Sequence, residues 1–200
     1  MVTLFKQGYE IILNIFYKNK FAKFHLRELA RLTKFHEPSV SKFLNDLEKS
    51  NILKSERDGN LKKYSIIKNK KTYLIFQKFD IDNLENLPLL RQNAINIYLK
   101  SLEQKPIFVI LFGSTSKNNF KSSSDIDLLL ITNNKIKTSS AEKEVEALTG
   151  VNISSFQIEY IDFVQELKLR DDKVVQSALN SGYPIYNNIA FYEVFFNERI

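Results

Sequence analysis

Two aspartates one residue apart, Asp125-Ile126-Asp127, stand at the head of the apolar run Leu128-Leu129-Leu130-Ile131. In a β-strand, residues two apart project to the same side. Both carboxylates therefore enter one small space, while Ile126 and Leu128 face a core. Like charges that close repel, and at the start of a buried strand they call for a cation between them. Oxygen donors without a nearby histidine or cysteine favour Mg2+ or Mn2+, the metals of phosphate chemistry.

A second feature lies upstream. Gly113-Ser114 ends another apolar run, residues 107–112, and ten residues separate Ser114 from Asp125. Glycine lets backbone approach a ligand closely, and Ser114 offers a hydroxyl and a backbone N–H, expected at a helix N-terminus; together they suit an anion. Strand, anion cradle and a returning strand with two metal-binding carboxylates describe a site for a nucleoside triphosphate and its metals. In that arrangement Ser114 holds the terminal phosphates and Lys117 screens them. Asp125 and Asp127 hold metals between the α-phosphate and an attacking hydroxyl.

The spacing of Gly113-Ser114 and Asp125-Ile126-Asp127, with Ser124 before them, resembles the signature of polymerase-beta-like nucleotidyltransferases of the minimal type. The resemblance runs from about residue 106 to residue 186. It implies an α+β fold, a mixed sheet flanked by helices, with Gly113 and Ser114 binding the triphosphate (ATP is expected) and Asp125 and Asp127 binding metal. Minimal members commonly have arginine then glycine where this chain has Lys117 and Asn118, which points to weaker phosphate contacts. The family's third carboxylate, the general base, belongs on a later strand that follows a helix. Residues 140–148 read as that helix and residues 152–160 as the strand. Phe156, Ile158 and Tyr160 share one face of it and Ser155, Gln157 and Glu159 the other. Glu159 is its only acid and is the candidate base; Gln157 in the family's position would leave the base missing. A helix containing Val174, Val175, Ala178 and Leu179, then a short edge strand at 182–186, close the domain. The Phe-rich residues 188–200 are expected against the linker helices or another subunit.

The first third reads differently. Residues 4–17, including Leu4 and Phe5, show near-helical apolar spacing, and residues 25–32 form a short amphipathic helix. After a turn, Pro38 starts a third helix with Val40, Leu44 and Leu47 on its inner side. Ser39, Ser41, Lys42, Asn45 and Lys49 point outward, and these polar and basic groups can meet phosphates or base edges. Residues 52–56 and 62–67 flank the turn signal Asp58-Gly59-Asn60 as a hairpin, with Arg57, Lys62 and Lys63 near its tip. This order of elements resembles the winged helix-turn-helix domains of small archaeal and bacterial regulators. It implies duplex DNA binding, or docking and dimerisation, the other common uses of such domains. His25 and His36, eleven apart and without cysteine, do not make a metal site and read as capping or surface residues.

Charge divides with the same boundary. Residues 1–70 hold 15 Lys and Arg against 7 Asp and Glu, whereas residues 71–200 hold 14 against 16. A basic module joined to a near-neutral one fits a polyanion-binding domain appended to one with separate work. The expected division is residues 1–70 as winged helix, 71–105 as a helical linker and 106–200 as the nucleotidyltransferase domain. No apolar run approaches the roughly 18 residues that cross a bilayer, so a cytoplasmic protein with no membrane partner is expected. The absence of cysteine excludes disulfides and thiolate chemistry. Two functions remain open. One is a metal-dependent transferase moving a nucleoside monophosphate to a hydroxyl. The other is a DNA-binding regulator or antitoxin whose transferase-like domain is degenerate, with a small helical protein or a second copy of the chain as partner.

Overall fold

The computed structural model describes residues 7–198, so the expected helical positions Leu4 and Phe5 lie outside the described residues. The chain divides into two compact units, Met1–Phe79 and Asp80–Ile200.

The first unit contains α1 (Gln7–Lys18), β1 (Phe24–His25), α2 (Leu26–Thr33), α3 (Glu37–Lys49), β2 (Leu53–Asp58), β3 (Leu61–Ile66) and the first part of α4 (Lys70–Glu85). Ile12, Leu13, Phe16, Leu29, Val40, Leu44 and Leu53 are buried and join the three helices to the hairpin. Lys34, in the left-handed region at φ 59°, ends α2 and turns the chain toward α3. Pro38 occupies the first turn of α3, where a missing N–H costs nothing. Asp58 pairs with Leu61, so Gly59-Asn60 is a two-residue hairpin loop with Gly59 at φ 59°. The unit is a winged helix. Its third strand, β1, is a two-residue segment pairing Phe24 with Tyr64 and His25 with Lys63.

The second unit begins within α4 and continues with α5 (Leu89–Ser101), β4 (Phe108–Phe112), α6 (Gly113–Ser116), β5 (Ile126–Thr132), α7 (Ser139–Thr149), β6 (Ile153–Glu159), α8 (Tyr160–Leu169), α9 (Lys173–Ser181), β7 (Tyr183–Tyr186) and α10 (Asn188–Glu198). Its sheet has the order β6-β5-β4-β7; β5 and β6 run parallel and the other pairs antiparallel. Helices cover both faces. Val109, Leu111, Ile126, Leu128 and Leu130 pack on α5 and α7 through Ala94, Ile95, Tyr98, Ala141 and Val145. On the opposite face Phe108 meets Phe163 of α8 and Phe191 of α10 at centroid distances of 5.4 and 5.7 Å. The Phe-rich tail is thus part of this unit's core. Asn188 donates to buried Asp80 at 2.9 Å, and the Tyr192 hydroxyl reaches both Asp80 oxygens at 2.9 Å. The unit is an α+β domain with a mixed sheet, as the sequence predicts.

Candidate active site

The β4–β5 pair places the residues singled out in the sequence. Phe112, the last residue of β4, lies opposite Asp127, so the chain leaves β4 beside that carboxylate. Gly113 follows at φ 73°, and a Cβ built there would lie 2.0 Å from Asp127 Oδ2. Any side chain at 113 would occupy the carboxylate's own space, in a backbone conformation that favours glycine. The helix expected to begin here is a single turn, α6, held by its neighbours. Ser116 Oγ donates to the carbonyls of Gly113 and Ser181 at 3.1 and 3.0 Å, and Asn119 N donates to the Ser114 carbonyl at 3.1 Å. Ser114 is half-buried in this turn, and Lys117 is exposed at its end. Asn118, where glycine is common among minimal members, adopts φ 54°. Asparagine tolerates the left-handed region better than other side-chain-bearing residues.

Asp125 is exposed just before β5, and Asp127 is half-buried within it. Burial, reinforced by the Asp125 charge, raises the Asp127 carboxyl above the usual carboxylate range, while Arg91 acts to lower it. Arg91 is a site residue that sequence reasoning missed. On a helix an arginine reads as solvent-facing, yet this one is 4% exposed. Only the return of the loop before Asp125, a long-range feature, brings its partners to it.

β6 runs parallel to β5 and pairs Asp127 with Ser154, Leu130 with Gln157 and Thr132 with Glu159. Paired residues of adjacent strands share a face, so Ser154, Phe156 and Ile158 lie on the Asp127 side. Phe156 confirms this by meeting Phe112, Asp127's partner on β4, at 5.7 Å. Ser154 Oγ donates to Asp125 Oδ2 at 3.2 Å, so this hydroxyl stands where β6 comes closest to the carboxylate pair. Glu159, the expected base, therefore stands away from the carboxylate pair. It lies on the other face and five residues further along, a separation of about 16 Å at strand rise. Gln157 does not take its place. Its side chain exchanges hydrogen bonds with the backbone N–H and carbonyl of Ile136, both at 3.0 Å. Among the described residues no group of three or more His, Cys, Asp or Glu is arranged to hold a metal.

The nucleic-acid candidates of the first unit lie on two elements. Ser39, Lys42, Asn45 and Lys49 are exposed on α3, and Ser41 is half-buried. Arg57 and Lys62 are opposite each other on the hairpin and exposed, whereas Lys63 pairs with Asp58 at 2.7 Å. His25 Nδ1 lies 3.0 Å from the Lys62 carbonyl, and neither His25 nor His36, which precedes α3, caps a helix through its side chain.

Residues 93–189 match the family model described as polymerase beta, nucleotidyltransferase. No curated protein matches the chain. Among solved structures, AF1382 from Archaeoglobus fulgidus is similar at 18% identity over 42% of this chain and 94% of its own, with a TM-score of 0.37. TrmBL2, an archaeal chromatin protein described as showing a novel mode of DNA binding, is 15% identical over 88% of this chain and 70% of its own, with a TM-score of 0.29. Human N-acetylserotonin methyltransferase, solved with SAM, is 10% identical over 76% of this chain and 55% of its own, also at 0.29.

Proposed function

From the premise that this chain carries a polymerase-beta nucleotidyltransferase domain at residues 93–189, we propose that it binds a nucleoside triphosphate with a divalent metal and moves the nucleoside monophosphate to a hydroxyl acceptor without a protein general base. The carrying observation is the contact of Gly113 backbone with Asp127, which joins the phosphate turn to the carboxylates and admits no side chain between them. The donor set fits Mg2+ or Mn2+: two carboxylates and no nitrogen or sulfur ligand, with positions left for water and phosphate oxygens. Asp125 and Asp127 would hold the ion, which when bound supplies charge stabilisation at the α-phosphate.

The chain's own groups do the remaining work. Gly113 and Ser114 orient the terminal phosphates, and Lys117 reaches them from the exposed end of α6. Attack by the acceptor oxygen forms a new bond to the α-phosphorus and breaks its bond to pyrophosphate, while the hydroxyl proton leaves to solvent. Ser154 cannot take that proton, because a neutral hydroxyl is a poor base. A positioned base contributes about 10²–10⁴ in rate, so slow transfer is expected. The winged helix would hold duplex DNA through α3 and the hairpin tip.

Ser154 in place of a third acid also favours a second reading, a DNA-binding regulator or antitoxin whose domain binds nucleotide without transferring it. Incubation of the protein with each labelled triphosphate, Mg2+ and cell extract separates them. Label transferred to protein, RNA or a small molecule supports the transferase. Magnesium-dependent binding with no transfer in any extract supports the second reading.

A further inference from the structure

Arg91 on α5 lies two residues before the stretch matched by the family model. Its Nη1 donates to Thr115 Oγ1 at 2.8 Å, and its Nη2 donates to the carbonyls of Lys121 at 3.1 Å and Ser124 at 2.7 Å. The guanidinium carbon sits 4.0 Å from the centroid of the Phe120 ring. These four partners span the ten residues that separate Gly113-Ser114 from Asp125. Thr115, fully buried, follows Ser114 directly, and Ser124 directly precedes Asp125. The hydrogen bonds of both terminal nitrogens thus go to the loop. The carboxylates of Asp125 and Asp127 lie close enough to interact with its positive charge.

We propose that Arg91 is a positioning residue, whose planar fork fixes the phosphate turn relative to the metal carboxylates before ligand arrives. This rests on the reading of the site as one for a metal–triphosphate complex. A loop already held in its bound shape spares binding the entropy of ordering it. Lysine cannot substitute. Its single ammonium lacks the rigid fork that reaches a hydroxyl on one side and two carbonyls on the other while stacking on a ring.

The test uses the full chain with Arg91→Lys, which keeps the charge and removes the fork, and the milder Thr115→Val, which removes one partner. Two quantities are measured: calorimetric affinity for Mg2+–ATP, and amide hydrogen exchange over residues 114–124 without nucleotide. Arg91→Lys is expected to weaken the triphosphate at least tenfold and to speed exchange in the loop, with β4 and β5 still protected. Thr115→Val is expected to do the same to a smaller extent and to add little to Arg91→Lys, as coupled partners do. Wild-type affinity in Arg91→Lys would reduce Arg91 to a charge and overturn the proposal. So would a lowered melting temperature with affinity and loop exchange unchanged. If Arg91→Lys does not fold, Thr115→Val decides by the same two readings. If the wild type binds no Mg2+–ATP, the functional reading fails, and loop exchange alone then upholds or overturns the clamp.

Discussion

The parallel strands β5 and β6 carry acids at both ends, and the two ends are not equivalent. At the N-terminal end Asp125 and Asp127 meet Ser154, the glycine turn after β4 and the buried Arg91. At the C-terminal end Glu159 and Asp162 stand with Thr132, Lys135 and Gln157 around a shallow depression, with Glu159 exposed at the start of α8. The acidic groups are equal in number. Only the first end brings a backbone cradle, a buried cation and a desolvated carboxylate together, and that convergence, rather than a count of acids, is what supports the proposal that phosphates are held there.

The strongest way to break this contrast is to remove the charge from the first end. With Asp125 and Asp127 both replaced by asparagine, Mg2+-dependent triphosphate binding is expected to fall by a thousandfold or more, measured by calorimetry. The fold should survive and gain stability. The Asp127 carboxyl is raised by burial and by Asp125, so the folded state binds its proton more tightly than the unfolded state does. Stability is therefore lost as pH rises from the ordinary aspartate range through that raised value. The Asp127→Asn single variant should melt higher than wild type at neutral pH in the absence of metal, with the difference vanishing in acid. Equal melting at both pH values would show that the carboxylate is not strained.

A comparably large effect is expected from salt in the other unit. If α3 and the hairpin tip hold duplex DNA through about four phosphate contacts, affinity of the full chain should drop on the order of 100-fold between roughly 50 and 200 mM salt. Fluorescence anisotropy measures this, and no binding at low salt would make the winged helix a docking module.

Gly113→Ala sharpens the comparison further. The new Cβ meets Asp127 Oδ2 at 2.0 Å and sits at φ 73°. A destabilisation of about 1–3 kcal/mol is expected from the strained backbone conformation alone, together with loss of triphosphate binding. Chemical denaturation and calorimetry read the two. The smallest effect is expected at the opposite end of the strands. Glu159→Gln should change neither triphosphate affinity nor any transfer rate by more than about twofold, because its carboxylate lies about 16 Å along β6 from the level of Asp127. A hundredfold loss of rate would restore Glu159 as the base.

Part of this was legible in the sequence. Gly113, Asp125 and Asp127 could be placed because the chain marks them locally: an apolar run stops at a glycine, and another starts with alternating acids. The winged helix was legible for the same reason, with Pro38 and Asp58-Gly59-Asn60 punctuating its elements. The failure at Glu159 has a definite cause. Residues 155–159 alternate in polarity, and alternation marks a solvent face only where one side of a sheet is bare. Here helices cover both sides, so the polar set Ser155, Gln157 and Glu159 turned away from the site, while Phe156 came to lie 40% exposed on the site's own face. Register between β5 and β6 is set by residues far apart in sequence, and no local pattern reveals it. Arg91 stayed hidden for a related reason, since its partners begin 24 residues later in the chain.

Buried Asp80 has a consequence for how the second unit comes into being. Two of its partners, Asn188 and Tyr192, lie 108 and 112 positions away, so the first residue of the unit is tied to α10. A buried carboxylate without such partners costs several kcal/mol. During translation at roughly 5–20 residues per second, α10 follows Asp80 by on the order of 5–20 seconds. β4 and β5 are made well before that moment, so the strands around Asp125 and Asp127 exist before α10, whose Phe191 packs on Phe108 of β4. The strands that frame the candidate site are thus synthesised before the helix that completes the core behind them.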